Sequence, residues 1–159
     1  MEKLAQEIGE LLRAQGLSLG VVESATGGLI SHFITDVAGS SDYFNGGITT
    51  YSNAAKEQLV GVSAATLKQY GAVSHQTAQE MAAGGRRALG CDIALATTGI
   101  AGPGGATSQK PVGLFYIGLA HGTETESREY HFNGDREQNK RAAAVTALGW
   151  LRDYLLAQD

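Results

Sequence analysis

Gly39-Ser40-Ser41-Asp42-Tyr43-Phe44-Asn45-Gly46-Gly47-Ile48-Thr49-Thr50-Tyr51-Ser52-Asn53-Ala54-Ala55-Lys56 sets serines, two tyrosines and a lysine around a short apolar, β-branched run. Phe44 to Tyr51 reads as a strand and Asn53 to Leu59 as a helix, with Ser52 and Asn53 as natural caps between them. A strand that turns directly into a helix is the repeating unit of an α/β domain. The chemistry is equally local. A serine becomes a useful nucleophile when a neighbour takes its proton, and burial equips a lysine for that by lowering its pKa. Lys56 follows Ser41 along a strand and a turn, so the two are expected to fold into contact. Ser52 is four residues before Lys56 and could share its helix face, which makes it the rival nucleophile. Each serine also has a plain structural job, as a turn residue after Gly39 or as a helix cap.

The same strand-then-turn grammar extends in both directions. Upstream, Leu4, Ile8, Leu11 and Leu12 recur at helical spacing up to a stop at Gly16. Leu19 to Val22 is a short buried strand that runs through Glu23-Ser24-Ala25-Thr26-Gly27-Gly28 into a helix bearing Leu29, Ile30, Phe33 and Ile34. Such a turn exposes backbone N–H groups to an anion, and Ser24 and Thr26 add hydroxyls. Either hydroxyl also serves simply as a helix cap. Downstream, Ser63 to Tyr70 and Ser74 to Leu89 read as helices. Gly84 and Gly85 in the second predict a close approach to a neighbour at some cost in helix propensity.

Ile93 to Thr98 is a second buried strand that opens into Gly99-Ile100-Ala101-Gly102-Pro103-Gly104-Gly105. Two glycine turns after buried strands predict a ligand cleft at the strands' carboxyl ends. Gly113 to His121 and Glu126 to Phe132 form an expected hairpin around Gly122 to Thr125. Asp135 and Gln138 make a capping-box pair at the start of the last helix. Arg136, Lys140 and Arg141 crowd that helix start, either as a solvated face or to meet a bound anion. Elements alternate throughout, so the expected architecture is a single α/β domain over residues 1–159: a three-layer α/β/α sandwich with a mixed β-sheet.

Composition bounds the function. The 159 residues, 43% apolar and 18% charged, are enough for one well-cored domain. Net charge is −4 with no basic stripe, which disfavours a nucleic-acid partner. The single cysteine excludes an internal disulfide and fits a reducing compartment. No signal peptide or spanning segment is evident, so a cytoplasmic location and no membrane partner are expected. His32, His75, His121 and His131 are scattered without ligand spacing, so no metal and no cofactor is expected.

Taken together, the Glu23–Gly28 run, Gly39-Ser40-Ser41, Tyr51-Ser52-Asn53 with Lys56, Gly71-Ala72-Val73-Ser74, Thr98–Pro103, Pro111-Val112-Gly113 and Gly134-Asp135-Arg136 resemble the carboxy-terminal domain of the competence/damage-inducible protein CinA. The resemblance covers nearly the whole chain in order. That family includes the stand-alone nicotinamide-mononucleotide amidase, whose length the chain matches, so the amino-terminal domain of full CinA is expected to be absent. The resemblance implies hydrolysis of the mononucleotide's carboxamide to nicotinate mononucleotide and ammonia. It maps the catalytic roles to Ser41, Lys56 and Tyr51. Ser24, Thr26, Gly27, Gly28, the Thr98-Gly99-Ile100-Ala101-Gly102 run, Arg136 and Arg141 are the candidates for substrate binding, with the phosphate and oxyanion loops left open. Members usually carry cysteine where this chain has Ala25. Cys91 lies outside every motif, so a serine mechanism is favoured. A non-catalytic nucleotide-binding module and an amidase for another small carboxamide are the alternatives. A small nucleotide is the expected partner, and a homo-oligomer the expected assembly.

Overall fold

The computed structural model describes residues 1–158. Its elements run α1 (Glu2–Gln15), β1 (Leu19–Glu23), α2 (Leu29–Thr35), a single 3₁₀ turn (Ser40–Asp42), β2 (Phe44–Thr49), α3 (Asn53–Val60), α4 (Ala64–Tyr70), α5 (His75–Leu89), β3 (Ile93–Gly99), β4 (Leu114–His121), β5 (Glu124–His131) and α6 (Arg136–Leu156). Among the described residues no helix is long and apolar enough to cross a membrane.

The five strands form one mixed sheet in the order β2-β1-β3-β4-β5. β1 pairs parallel to both β2 and β3, while β3–β4 and β4–β5 are antiparallel. Burial follows position in the sheet. Every residue of β1 is buried, whereas the edge strands β2 and β5 alternate between covered and exposed faces.

One face is covered by α1, α2 and α6. Ile8 and Leu12 of α1 meet Leu148, Leu151 and Leu155 of α6 over Leu19, Val21 and Leu95 of the sheet. Each such fully buried side chain contributes about 1.5–3 kcal/mol. The other face carries a smaller core of Val22, Val60, Met81, Ala82, Ala96 and Ala120. Its tightness explains the glycine pair in α5. A Cβ on Gly84 would lie 1.7 Å from the Val60 carbonyl oxygen, and one on Gly85 2.2 Å from Val22 of the sheet. The expected close approach is therefore to α3 through Gly84 and to the sheet through Gly85.

Caps set the helix limits. Ser52, Ser63 and Ser74 each accept a backbone N–H at the starts of α3, α4 and α5, and Asp135 and Gln138 complete a capping box on α6. The β4–β5 hairpin departs from expectation. Pairing begins at His121 opposite Glu124, leaving a two-residue turn of Gly122 and Thr123 where a four-residue one is expected. Gly122, with φ of 53°, supplies the left-handed residue that a tight hairpin turn requires.

Candidate active site

Because β2, β1 and β3 are neighbours running the same way, their carboxyl ends open on one edge of the sheet. Ser24 follows β1 there, Thr50 and Tyr51 follow β2, and Thr98 and Gly99 close β3. Lys56, on α3, reaches back into this edge. Its Nζ donates to the Thr50 carbonyl oxygen at 2.9 Å and is hydrogen-bonded to Ser24 Oγ at 3.0 Å. Lys56 is only 1% exposed. Among the described residues no carboxylate pairs with it, and burial pushes its pKa below the ordinary lysine value. A buried amine with no counter-charge, touching a serine hydroxyl, is the arrangement a serine nucleophile needs.

The turn after β1 is held from several sides. The Ser24 N–H donates to Thr97 O at 3.0 Å, and the Gly27 N–H returns to Ser24 O at 3.0 Å. Glu23, 1% exposed, turns its carboxylate onto the start of α2. It accepts from the N–H groups of Gly28 (3.2 Å), Ile30 (3.0 Å) and Ser31 (2.9 Å) and from Ser31 Oγ (2.9 Å). The Glu23 carbonyl oxygen meanwhile accepts the Thr50 N–H at 2.8 Å. One residue therefore braces the turn that carries Ser24 and the strand end that steadies Lys56.

These contacts correct several expectations. Ser41 does not meet Lys56. It lies in the exposed 3₁₀ turn before β2, whereas Lys56 lies beyond the end of that strand. Six strand residues separate the two ends by roughly 20 Å. Arg13 of α1 holds that turn at the far edge, donating from Nη2 to Gly39 O (2.8 Å) and from Nε to Asp42 Oδ2 (3.1 Å). Ser52 is not at the amine either, since its Oγ accepts the Ala55 N–H at 3.0 Å as the cap of α3. The serine beside Lys56 is Ser24.

Gly27 and Gly28 do not present a vacant helix start to an anion, because Glu23 supplies the anion internally. Thr26 Oγ1 bonds Thr97 Oγ1 at 2.7 Å, both buried. Arg141 sits over the Phe33 ring, 5.5 Å from its centroid, and lines a separate groove.

Ser24 and Lys56 line a cavity of about 250 Å³ with Ala25, Tyr51, Arg136 and the residues from Thr98 to Gly105 apart from Pro103. The glycine loop is tied down, not free. Thr98 Oγ1 donates to Ala72 O (2.7 Å), the buried Asn139 donates from Nδ2 to Ala101 O (3.1 Å), and Lys110 Nζ reaches Tyr70 O (2.5 Å). Arg136 straps the rim, donating from Nη1 to Gly102 O at 2.7 Å and from Nη2 to Tyr51 Oη at 3.0 Å. Tyr51 is 61% exposed. Its hydroxyl contacts Arg136 at the rim, and among the described residues it has no hydrogen bond to Ser24 or Lys56.

Ala25 is buried against Ala101, Phe115 and Ala143. Cys91 is buried at the amino-terminal side of β3, where burial raises its thiol pKa. His121 is less isolated than its spacing implies. Its ligand atom lies within 4.8 Å of those of Glu124 and Glu126, on the hairpin at the opposite end of the sheet from the cavity.

Comparison with known proteins gives a consistent result. The family profile described as CinA C-terminal domain matches residues 1–155. A CinA-like protein of Geobacter sulfurreducens is 51% identical over 149 residues, which are 94% of this chain and 36% of that protein. A putative competence-damage inducible protein of Caldicellulosiruptor saccharolyticus is 49% identical over 98% of this chain and 38% of its own length. The chain thus spans less than two-fifths of these relatives. Among solved structures, the competence damage-inducible protein A of Klebsiella pneumoniae superposes with a TM-score of 0.95 at 33% identity, covering 98% of this chain and 96% of that one. The competence/damage inducible protein of Agrobacterium tumefaciens gives 0.91 at 39% identity, covering 94% and 92%.

Proposed function

Since the chain belongs to the CinA C-terminal domain family, we propose that it is an amidase. Its substrate is the carboxamide of nicotinamide mononucleotide, Ser24 is the nucleophile and Lys56 the base. The observation that carries this reading is the buried, unpaired Lys56 amine 3.0 Å from Ser24 Oγ. Neutral Lys56 takes the Ser24 proton as Oγ attacks the carboxamide carbon, while the Thr50 carbonyl keeps the amine aimed. The oxyanion that forms needs preorganised donors. The N–H groups of Ala25 and Thr26, one and two residues beyond Ser24, meet no carbonyl or side chain of the described residues. Losing one such donor typically costs about 3 kcal/mol of transition-state stabilisation.

Collapse of the tetrahedral intermediate breaks the C–N bond. The Lys56 ammonium returns its proton to the departing nitrogen, ammonia leaves, and nicotinate mononucleotide remains esterified to Ser24. Water then attacks the ester, Lys56 takes its proton and passes it to Ser24 Oγ, and the acid is released. The electron-poor pyridinium activates the carbonyl throughout.

The test is ammonia release from nicotinamide mononucleotide by the purified chain with chelator present. Release by the wild type and Ser41→Ala, with none from Ser24→Ala, is the expected pattern. A folded wild type that binds the mononucleotide without releasing ammonia overturns the activity. Retention of turnover by Ser24→Ala overturns the nucleophile.

A further inference from the structure

We infer that Lys140 is the residue that reads the substrate's phosphate and so sets the preference for a phosphorylated substrate over its riboside. The inference rests on the amidase reading above and gives one cation of α6 a specific role. Lys140 and Arg136 are four residues apart on α6 and so share a face of the helix. They line a groove of about 310 Å³ with Leu29, Glu137 and Arg141, and Arg136 also borders the cavity that holds Ser24. Arg136 is thus a wall shared by the groove and the cavity of the reaction centre.

Three observations single out Lys140 from its neighbours. The guanidinium of Arg136 is engaged by Gly102 O and Tyr51 Oη, and that of Arg141 rests on Phe33. Lys140 is half-buried, yet among the described residues it makes no hydrogen bond and no ion pair, so its three donors are uncommitted. Finally, its ammonium hangs over the turn that begins at Ser24. A Cβ at Gly27, whose φ is 63°, would lie only 3.6 Å from Lys140 Nζ. Glycine there leaves open the space in front of the ammonium, which any side chain would narrow.

The placement fits a mononucleotide. The Gly27-to-Ser24 hydrogen bond closes a turn whose ends lie within about 7 Å, so Nζ lies within roughly 12 Å of the Ser24 backbone, inside the span of a mononucleotide. A carboxamide at Ser24 and a 5′-phosphate at Lys140 are then the two ends of one ligand. The like charges of Lys140 and Arg136 repel at this spacing until an anion lies between them. Glu137 lines the same groove and favours a ligand held on the Lys140–Gly27 side.

The experiment compares kcat/KM for nicotinamide mononucleotide and nicotinamide riboside in wild type, Lys140→Met and Lys140→Arg. Lys140→Met should lower the mononucleotide value about 10- to 100-fold, mainly through KM, the range of one charge-assisted contact. It should leave the riboside value within twofold, and Lys140→Arg should recover most of the loss. An equal fall on both substrates, or no fall on the mononucleotide, overturns the assignment. If the wild type hydrolyses neither compound, the amidase reading fails separately. Calorimetric titration of wild type and Lys140→Met with nicotinamide mononucleotide then decides the subsite. Tighter binding by the wild type supports it, and equal affinities overturn it.

Discussion

Lys56→Met isolates the energetic consequence of keeping an unpaired amine at the base of the cavity. The substitution retains an unbranched stem of similar volume in a site that is 1% exposed, and removes the ionisable group. The sign of the effect follows from linkage. Burial lowers the folded-state pKa of Lys56, so between that value and the unfolded value of about 10.4 the unfolded chain binds the extra proton. Stability therefore rises with pH across that window, by about 1.4 kcal/mol per pH unit, and below the window the full penalty is present. Lys56→Met lacks this dependence. It also leaves the Thr50 carbonyl oxygen without its lysine donor, a cost of about 1–3 kcal/mol that does not vary with pH. The informative quantity is thus the difference between wild-type and variant stabilities, measured by urea denaturation from pH 6 to 10.5. Tyr43 and Cys91, whose pKa values are raised by burial, titrate in both proteins and cancel in the difference. The difference should move toward the wild type as pH rises through the window below the unfolded lysine value, and the variant should release no ammonia. Parallel stability curves over the whole range would refute a buried, proton-shedding Lys56, and the general-base role with it.

Ser24→Ala should lower turnover by roughly 10⁴-fold or more with Tm nearly unchanged, while Ser41→Ala stays within about twofold of wild type, both read by ammonia release. Glu23→Gln turns an amide N–H₂ toward backbone donors that now meet a carboxylate. It should cost about 1–3 kcal/mol, or roughly 3–10 °C in Tm by thermal melting, and lower kcat as the Ser24 turn loosens. Arg136→Ala frees both Tyr51 and the Gly102 carbonyl. It should raise KM about tenfold with a smaller effect on kcat, and an unchanged KM would remove Arg136 from substrate binding.

What was legible in the sequence is what is decided locally. The Ser52 cap, the Asp135–Gln138 capping box, the Gly16 stop and the periodicity of α1 each depend on residues within one or two helical turns, and each forms as read. The missing contact between Ser41 and Lys56 has a non-local cause. Ser41 and Lys56 sit at opposite ends of β2, and a strand carries its two ends apart whatever the turn beyond it does. Ser24 and Lys56 meet because β1 and β2 are adjacent and parallel, a pairing no local pattern reveals. The turn after β1 nonetheless held a usable signal. An acid directly before Ser24, five residues ahead of Gly28, can cap the helix it precedes, and that competes with reading the same N–H groups as an external anion site. With the helix start occupied by Glu23, Ser24 is released from capping, and its hydroxyl is left to the one buried amine within reach. The same competition explains the cations on α6. Arg136 and Arg141 are drawn to partners outside their own helix, and only the fold tells which of the three charges remains available at the turn beside Ser24.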